Sequence, residues 1–299
     1  MLKVENVTKY YGDLKAVDNL SFEVEDGCIF GLLGLNGAGK TTTFRMIMGL
    51  IDDYTGSITL DGKKIDYSMT DKIGFLTEER SLLTKMTVVE QVKFYAILKN
   101  MKEEDIVKRL DYYLDKFGIS EYKYKKIKEL SKGNQQKIQF ITSIIHEPKL
   151  LILDEPFSGL DPINVELFKK EILELKEKGT SIIFSSHRME HVELFCEKLV
   201  VLVKGKTVLN GYLKDIKKEY KKKDVYIIGD VVKEDLEKIE GVVKVRKEND
   251  NYIVTISDEK YVSRLFNYVK KCDNIIRFSV EEPSLNEIFI EKVGNAYDK

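Results

Sequence analysis

The chain has 299 residues, with 49 Lys and Arg set against 50 Asp and Glu for a formal net charge of −1. That length leaves room for two domains and a core that needs no disulfides, while the charge balance excludes a global positive field of the kind that draws nucleic acid or an anionic membrane. Cys28, Cys196 and Cys272 lie far apart with no C-x-x-C pair, which reads as reduced thiols in a cytosolic chain rather than a disulfide or zinc framework.

The first residues, "MLKVENVTKYYG", carry charge from the third position and no apolar stretch, so they do not form a signal peptide. No apolar run approaches the roughly 18 residues of a spanning helix. Short alternating stretches, "LKVENVTKYYG" and "AVDNLSFEVEDG", predict strands that end at the turn signal Asp26-Gly27. The apolar run Cys28 to Leu33 predicts a buried strand, followed by a helix from Lys40 to about Gly49. "GSITLDGKKI" reads as a hairpin and "IGFL" as a strand. From about Thr87 to Ser143 apolar residues recur every three to four positions, which predicts a helical block. "KLLILDEP" and "TSIIFSSH" are strand-length runs apolar on both faces, separated by the helical "INVELFKKEILELKEKG". That order implies parallel strands joined by a crossover. "LVVLVKGKTVLNG" closes this part as a hairpin.

The lysine-rich tract from Lys217 to Asp224 reads as a linker, or as the end of a helix leading into one, so the domains are predicted as 1–219 and 220–299. Beyond it the pattern restarts as strand, helix, hairpin, helix, strand and final helix, with the hairpin turn at Glu248 to Asn251. The β-α-β-β-α-β order predicts a small α+β domain of the split-βαβ type.

The chemistry is concentrated in the first part. Gly34 to Thr41 spells "GLNGAGKT", a full G-x-x-x-x-G-K-[ST] phosphate loop between a strand and a helix. Glycines let backbone N–H groups wrap phosphates, and the helix aims its N-terminal dipole at the same anion. The predicted nucleotide contacts are Gly34, Leu35, Asn36, Gly37, Ala38, Gly39, Lys40, Thr41 and Thr42. Lys40 reaches the β- and γ-phosphates, and Thr41 offers its hydroxyl to Mg²⁺. "LLILDEP" sets Asp154 at the end of a buried strand, toward the Mg²⁺ shell. Glu155 follows as the candidate general base for the attacking water.

Taken together these residues resemble the ATP-binding cassette, or ABC, ATPases. "ELSKGNQQKIQF" looks like that family's signature, with Leu130, Ser131 and Gly133 in place; "FSGLDP" is similar to its D-loop, with Asp161 at the key position. "IIFSSH" ends at His187, where the family has its switch histidine, and "KYYGDLKAV" puts Tyr11 where an aromatic ring stacks on adenine. The resemblance spans Met1 to about Glu219. It implies a phosphate-loop cassette with a RecA-like α/β core, an antiparallel β subdomain and a helical subdomain. It also implies a head-to-tail homodimer in which Ser131 and Gly133 of one copy close on the ATP held by the other.

Two positions depart from that pattern. Lys132-Gly133-Asn134 stands where the signature usually reads Gly-Gly-Gln; the second glycine, needed for close phosphate approach, is kept. Glu78, in "IGFLTEERSLL", stands where the Q-loop normally has glutamine. Its carboxylate still offers an oxygen to Mg²⁺ or to water, so Glu78 is read as a metal-site and catalytic residue, but it adds negative charge beside the phosphates. "HRMEH" matches H-x-x-E-H, yet His187 ends a buried strand and is already explained by the phosphate machinery, so no zinc site is expected. His146 is expected at the surface.

The implied function is the ATPase subunit of a two-component ABC exporter: cytoplasmic, held at the inner face of the membrane by separate integral-membrane permease subunits, with the permease-docking surface on the helical block. The closing "EEPSLNEIFIEKVG" looks like the tail of cassettes that accompany drug-, sodium- or antibiotic-export permeases. For the second domain, reinforcing the dimer and regulating turnover both fit. The competing class is a soluble cassette acting on the ribosome or nucleic acid, which the lack of a basic or coiled-coil insert disfavours. A non-hydrolysing regulator is disfavoured by Glu155 and His187.

Overall fold

The computed structural model describes residues 1–79 and 81–297, and the chain divides into two compact units, Met1–Asn210 and a second from Gly211 onward. The second unit therefore begins ahead of the lysine-rich tract. Lys217 and Lys218 end a helix and Lys223 opens a strand, leaving only 220–222 between elements.

The strands of the first unit's sheet are β1 (Leu2–Tyr11), β2 (Leu14–Val24), β3 (Ile29–Gly34), β4 (Thr55–Leu60), β5 (Lys63–Lys64), β6 (Ile73–Leu76), β7 (Leu150–Asp154), β8 (Ser181–Ser185), β9 (Lys198–Val203) and β10 (Lys206–Tyr212), which runs two residues past Asn210. The helices are α1 (Lys40–Ile47), α2 (Val88–Leu98), α3 (Glu103–Lys116), α4 (Lys132–Ile144), α5 (Pro162–Glu177) and α6 (Met189–Phe195). The strands form one sheet in the order β5-β4-β1-β2-β10-β9-β3-β8-β7-β6.

Half of that sheet is antiparallel: β1 pairs with β2 and β4, and β4 with β5. These strands alternate buried and exposed residues, as a sheet with one wet face requires. The other half is parallel, with β6 on β7, β7 on β8, β8 on β3 and β3 on β9. Every residue of β3, β7 and β8 is buried, which accounts for their uninterrupted apolar runs. Because these strands run the same way, their carboxyl ends share one edge of the sheet, where open α/β folds bind ligands.

Between β6 and β7 the helices α2, α3 and α4 form the expected helical block. α2 opens on a capping box, with the Thr87 hydroxyl accepting from the Glu90 amide and the Glu90 carboxylate from the Thr87 amide. The block is joined to α5 by an aromatic cluster: Phe140 stacks on Phe168 at 4.6 Å between ring centroids, and Phe117 meets both edge-on. His146, just past α4, is not a surface histidine. It is half-buried, and its Nε2 lies 3.3 Å from the Ile73 carbonyl. Burial pushes its pKa down to about 4, because the charged imidazolium loses hydration there.

The second unit holds α7 (Leu213–Glu219), β11 (Lys223–Ile228), α8 (Lys233–Glu237), β12 (Val242–Glu248), β13 (Asn251–Ile256), α9 (Val262–Val269), β14 (Arg277–Glu281) and α10 (Leu285–Tyr297). Its sheet is antiparallel in the order β12-β13-β11-β14, the split-βαβ arrangement that the element order predicts. Val225, Ile227, Leu236, Val254 and Leu265 form its own core.

Candidate functional site

Four strands deliver the site. β3 ends at Gly34 and runs into the phosphate loop, β8 leads to His187, β7 ends at Asp154, and Glu78 follows β6. In register, Asp154 lies opposite Ser185 and Leu76 opposite Leu153, so neighbouring strands release their loops at one level.

The loop's shape depends on glycine. Gly34, Gly37 and Gly39 have φ of +152°, +75° and +106°, values that side chains resist. A Cβ on Gly34 would sit 2.5 Å from the Leu202 carbonyl oxygen, and one on Gly39 2.5 Å from that of Ala16. Gly39 caps α1, and α1 offers its N-terminal amides with no side chain satisfying them. Thr43, fully buried, donates its hydroxyl to the Gly39 carbonyl at 2.9 Å and fastens the loop to the helix. Lys40 folds back to donate to the Gly34 carbonyl at 2.7 Å. Burial lowers its pKa, while the charges of Asp154, Glu155 and Glu78 oppose that change.

These elements enclose a cavity of about 530 Å³, within the usual range for ligand sites. Tyr11, the run from Leu35 to Thr42, Glu78, Asp154 and His187 line it. Asp154 is buried, which raises its pKa; Ser185, Lys40 and His187 counter that effect and Glu78 adds to it. Glu155 does not line the cavity. Its carboxylate turns to the loop after β8, accepting from the His187 amide at 2.5 Å and the Ser186 hydroxyl at 3.3 Å. Its backbone has φ of +50°, an unfavourable conformation for a residue with a side chain. Burial raises its pKa and the neighbouring His187 lowers it.

Ser131, Gly133 and Asp161 stand apart from the cavity lining. Ser131 is the N-cap of α4, accepting from the Asn134 amide, and a Cβ on Gly133 would meet only Asn164 Nδ2, at 4.0 Å. Asp161 caps α5 through the Asn164 amide at 3.0 Å, ahead of Pro162. That bond holds its carboxyl below the usual range. The loop bearing Glu78 is tied to α4 by Gln139, whose amide donates to the Thr77 carbonyl at 3.1 Å and hydroxyl at 2.9 Å and the Glu79 carbonyl at 3.3 Å.

Sequence reading missed Leu14, Lys15, Ala16 and Lys204, which also line the cavity. Lys204 follows β9, which runs parallel to β3. The apolar run "LVVLV" ahead of a Lys-Gly turn was the available signal.

The donors fit the nucleotide and its cation. Open glycine amides, a helix N-terminus and a partly desolvated ammonium suit phosphate. The hydroxyl of Thr41 and the carboxylates of Asp154 and Glu78 are the hard oxygens that Mg²⁺ takes. Among the described residues no group of three or more His, Cys, Asp or Glu side chains is placed to hold a metal ion.

A phosphate loop at the carboxyl edge of a parallel sheet, faced by Asp154 and His187 with Glu155 directly after Asp154, defines a phosphate-loop nucleotide hydrolase. Residues 17–158 match the ABC transporter family and residues 211–293 the C-terminal domain of DrrA1-3-like ATP-binding proteins. The chain is 50% identical over 298 residues to the uncharacterized ABC transporter ATP-binding protein YhaQ of Bacillus subtilis (strain 168), covering 100% of both. It is 34% identical to the linearmycin resistance ATP-binding protein LnrL of the same organism, over 72% of this chain and 70% of that one. A solved ATP-binding subunit of an ABC transporter superposes with a TM-score of 0.70 at 30% identity, covering 74% of this chain and 93% of the other. The chain belongs to the ABC transporter ATP-binding proteins, a family that binds and hydrolyses ATP.

Proposed function

We propose that this chain is the ATP-hydrolysing subunit of a two-component membrane exporter, acting as a homodimer held at the inner face of the membrane by separate permease subunits. The observation that carries the dimer is the separation within one copy: the Ser131 end of α4 is absent from the cavity that Lys40, Thr41 and Asp154 line. A serine cap and helix amides suited to an anion have no anion site in their own copy, and a second copy supplies one.

In this reading the loop amides and Lys40 bind and orient the triphosphate, and Tyr11 offers its half-exposed ring to the base. Thr41 and Asp154 would hold Mg²⁺, with Glu78 beside them, and the ion would supply charge neutralisation at the phosphates. Glu155 takes the proton of the attacking water, a task its burial favours by strengthening it as a base. His187 and Asp161 stand at the seam between the copies, and the partner's signature covers the γ-phosphate. Cleavage removes the group both copies share and lets them part.

Support for the permease comes from a groove of about 470 Å³ between the helical block and the parallel sheet, walled by Tyr67, Phe75, Tyr95 and Leu98. Gln91 and Gln139 line it too, and the Gln91 Nε2 donor and Gln139 Oε1 acceptor are buried without hydrogen-bond partners. Apolar walls with one spare donor and one spare acceptor suit a protein segment that brings its own polar main chain. Among the described residues no helix is long and apolar enough to cross a membrane, so the proposal gives the pathway to other subunits. Outward transport is supported by the likeness to a resistance protein. No nucleic-acid partner is proposed.

Glu155→Gln tests the dimer. The variant keeps the binding contacts and loses the base, so Mg-ATP is expected to convert it from monomer to dimer in size-exclusion chromatography with light scattering. A monomer at saturating Mg-ATP refutes the shared site.

A further inference from the structure

Glu78 brings a third carboxylate to the part of the nucleotide cavity that already holds Asp154 and, just behind it, Glu155. All three act electrostatically on Lys40, and Glu78 and Asp154 line the cavity together with Thr41. The position is built rather than incidental: the Gln139 amide grips the backbone on both sides of Glu78, at Thr77 and Glu79. Lys15, another cation of the lining, is engaged by Asp18 at 3.0 Å. A triphosphate entering alone meets a concentration of like charge around Lys40, the ammonium of the phosphate loop, and Lys204 is the third lysine of the lining. The same oxygens are favourable ligands once a divalent cation enters with it.

We propose that Glu78 makes nucleotide binding obligately coupled to a divalent cation, so that the cavity selects the metal–ATP complex and rejects free ATP. Where an amide at this position would tolerate both forms, the carboxylate penalises one and ligates the other, a specificity set by repulsion as much as by attraction. The inference rests on the cavity being the nucleotide site with Thr41 and Asp154 toward the cation.

The test is equilibrium titration of the full-length protein with a fluorescent ATP analogue, in EDTA and in excess Mg²⁺, for the wild type, Glu78→Gln and Glu79→Gln. The readout is the ratio of the two dissociation constants. A unit charge acting at the short distances and intermediate dielectric of a protein cleft changes affinity by about tenfold or more. The wild-type ratio is therefore expected to exceed that of Glu78→Gln at least tenfold, chiefly because Glu78→Gln binds the metal-free analogue more tightly. Glu78 and Glu79 are both exposed, but only Glu78 lines the cavity, so Glu79→Gln, with the same change in net charge, is expected to keep the wild-type ratio. Equal ratios in wild type and Glu78→Gln overturn the proposal, as does an equal shift in Glu79→Gln. No analogue binding by the wild type in either buffer overturns the site assignment itself, and the inference with it.

Discussion

Gly37 and Gly39 share a left-handed backbone but not the same surroundings. A Cβ on Gly37 meets nothing within 4 Å, whereas one on Gly39 collides with the Ala16 carbonyl. Gly37→Ala therefore meets only the conformational penalty, about 1 kcal/mol. Gly39→Ala must also displace β2 or distort the first turn of α1, and is expected to cost about 2–3 kcal/mol. Its nucleotide affinity should fall at least about tenfold, the equivalent of 1.4 kcal/mol. Thermal melts and analogue titrations of both variants check this, and equal effects would mean that the Ala16 contact does not matter. Both glycines were legible in the sequence as parts of one motif. That one is pinned by a neighbouring strand and the other open was not, because the motif does not encode what packs over it.

At the scale of elements, the helical block is fixed to the first unit by one buried charge arrangement as well as by its aromatic cluster. Lys116, at the end of α3, pairs with Glu171 and, at 2.6 Å, with Glu174, both on α5, and Glu171 is 1% exposed. These carboxylates push the Lys116 pKa upward. Lys116→Met keeps the stem and removes the charge, stranding a buried carboxylate, for which about 3 kcal/mol is the usual cost. Chemical denaturation should show that loss, and a change under 1 kcal/mol would mean that Glu171 finds another partner or takes up a proton. The periodicity of α3 and α5 was readable in the sequence. The pairing was not, since Lys116 and Glu171 belong to helices separated by α4 and β7.

At the scale of the whole molecule, the second unit carries its own buried ionisable centre. Asp224 on β11 accepts from Thr255 at 2.6 Å and from Arg246 at 3.2 Å, and Arg246 also donates to Glu287 of α10 at 2.7 Å. Burial and the Glu287 carboxylate push Asp224 up to about 6, while Glu287 is held low. Between the ordinary value of 3.8 and about 6 the folded chain holds this proton more tightly than the unfolded chain. The contribution of Asp224 to stability is thus full below pH 3.8 and lost as pH rises through 6. Asp224→Asn removes that loss and is expected to gain on the wild type between pH 4.5 and pH 7, by about 2 kcal/mol at 1.36 kcal/mol per pH unit. Hydrogen exchange of the β11 and β13 amides measures it. A difference between variant and wild type that stays constant over that range would show that Asp224 is ionised throughout.

The sequence by itself determined the class of this protein, because a phosphate loop, an Asp-Glu pair, a signature and a histidine are each local chemistry written in consecutive residues. It also determined the β-α-β-β-α-β order of the second unit, since apolar periodicity follows from which side of an element meets the core. Only the tertiary structure decided the rest. It set Lys204 beside the phosphate loop, turned Glu155 toward His187 instead of into the cavity, drew His146 partly out of solvent and left Ser131 away from the cavity. Each of these depends on which strands run side by side and where their ends fall, and that is fixed by packing between residues far apart in the chain.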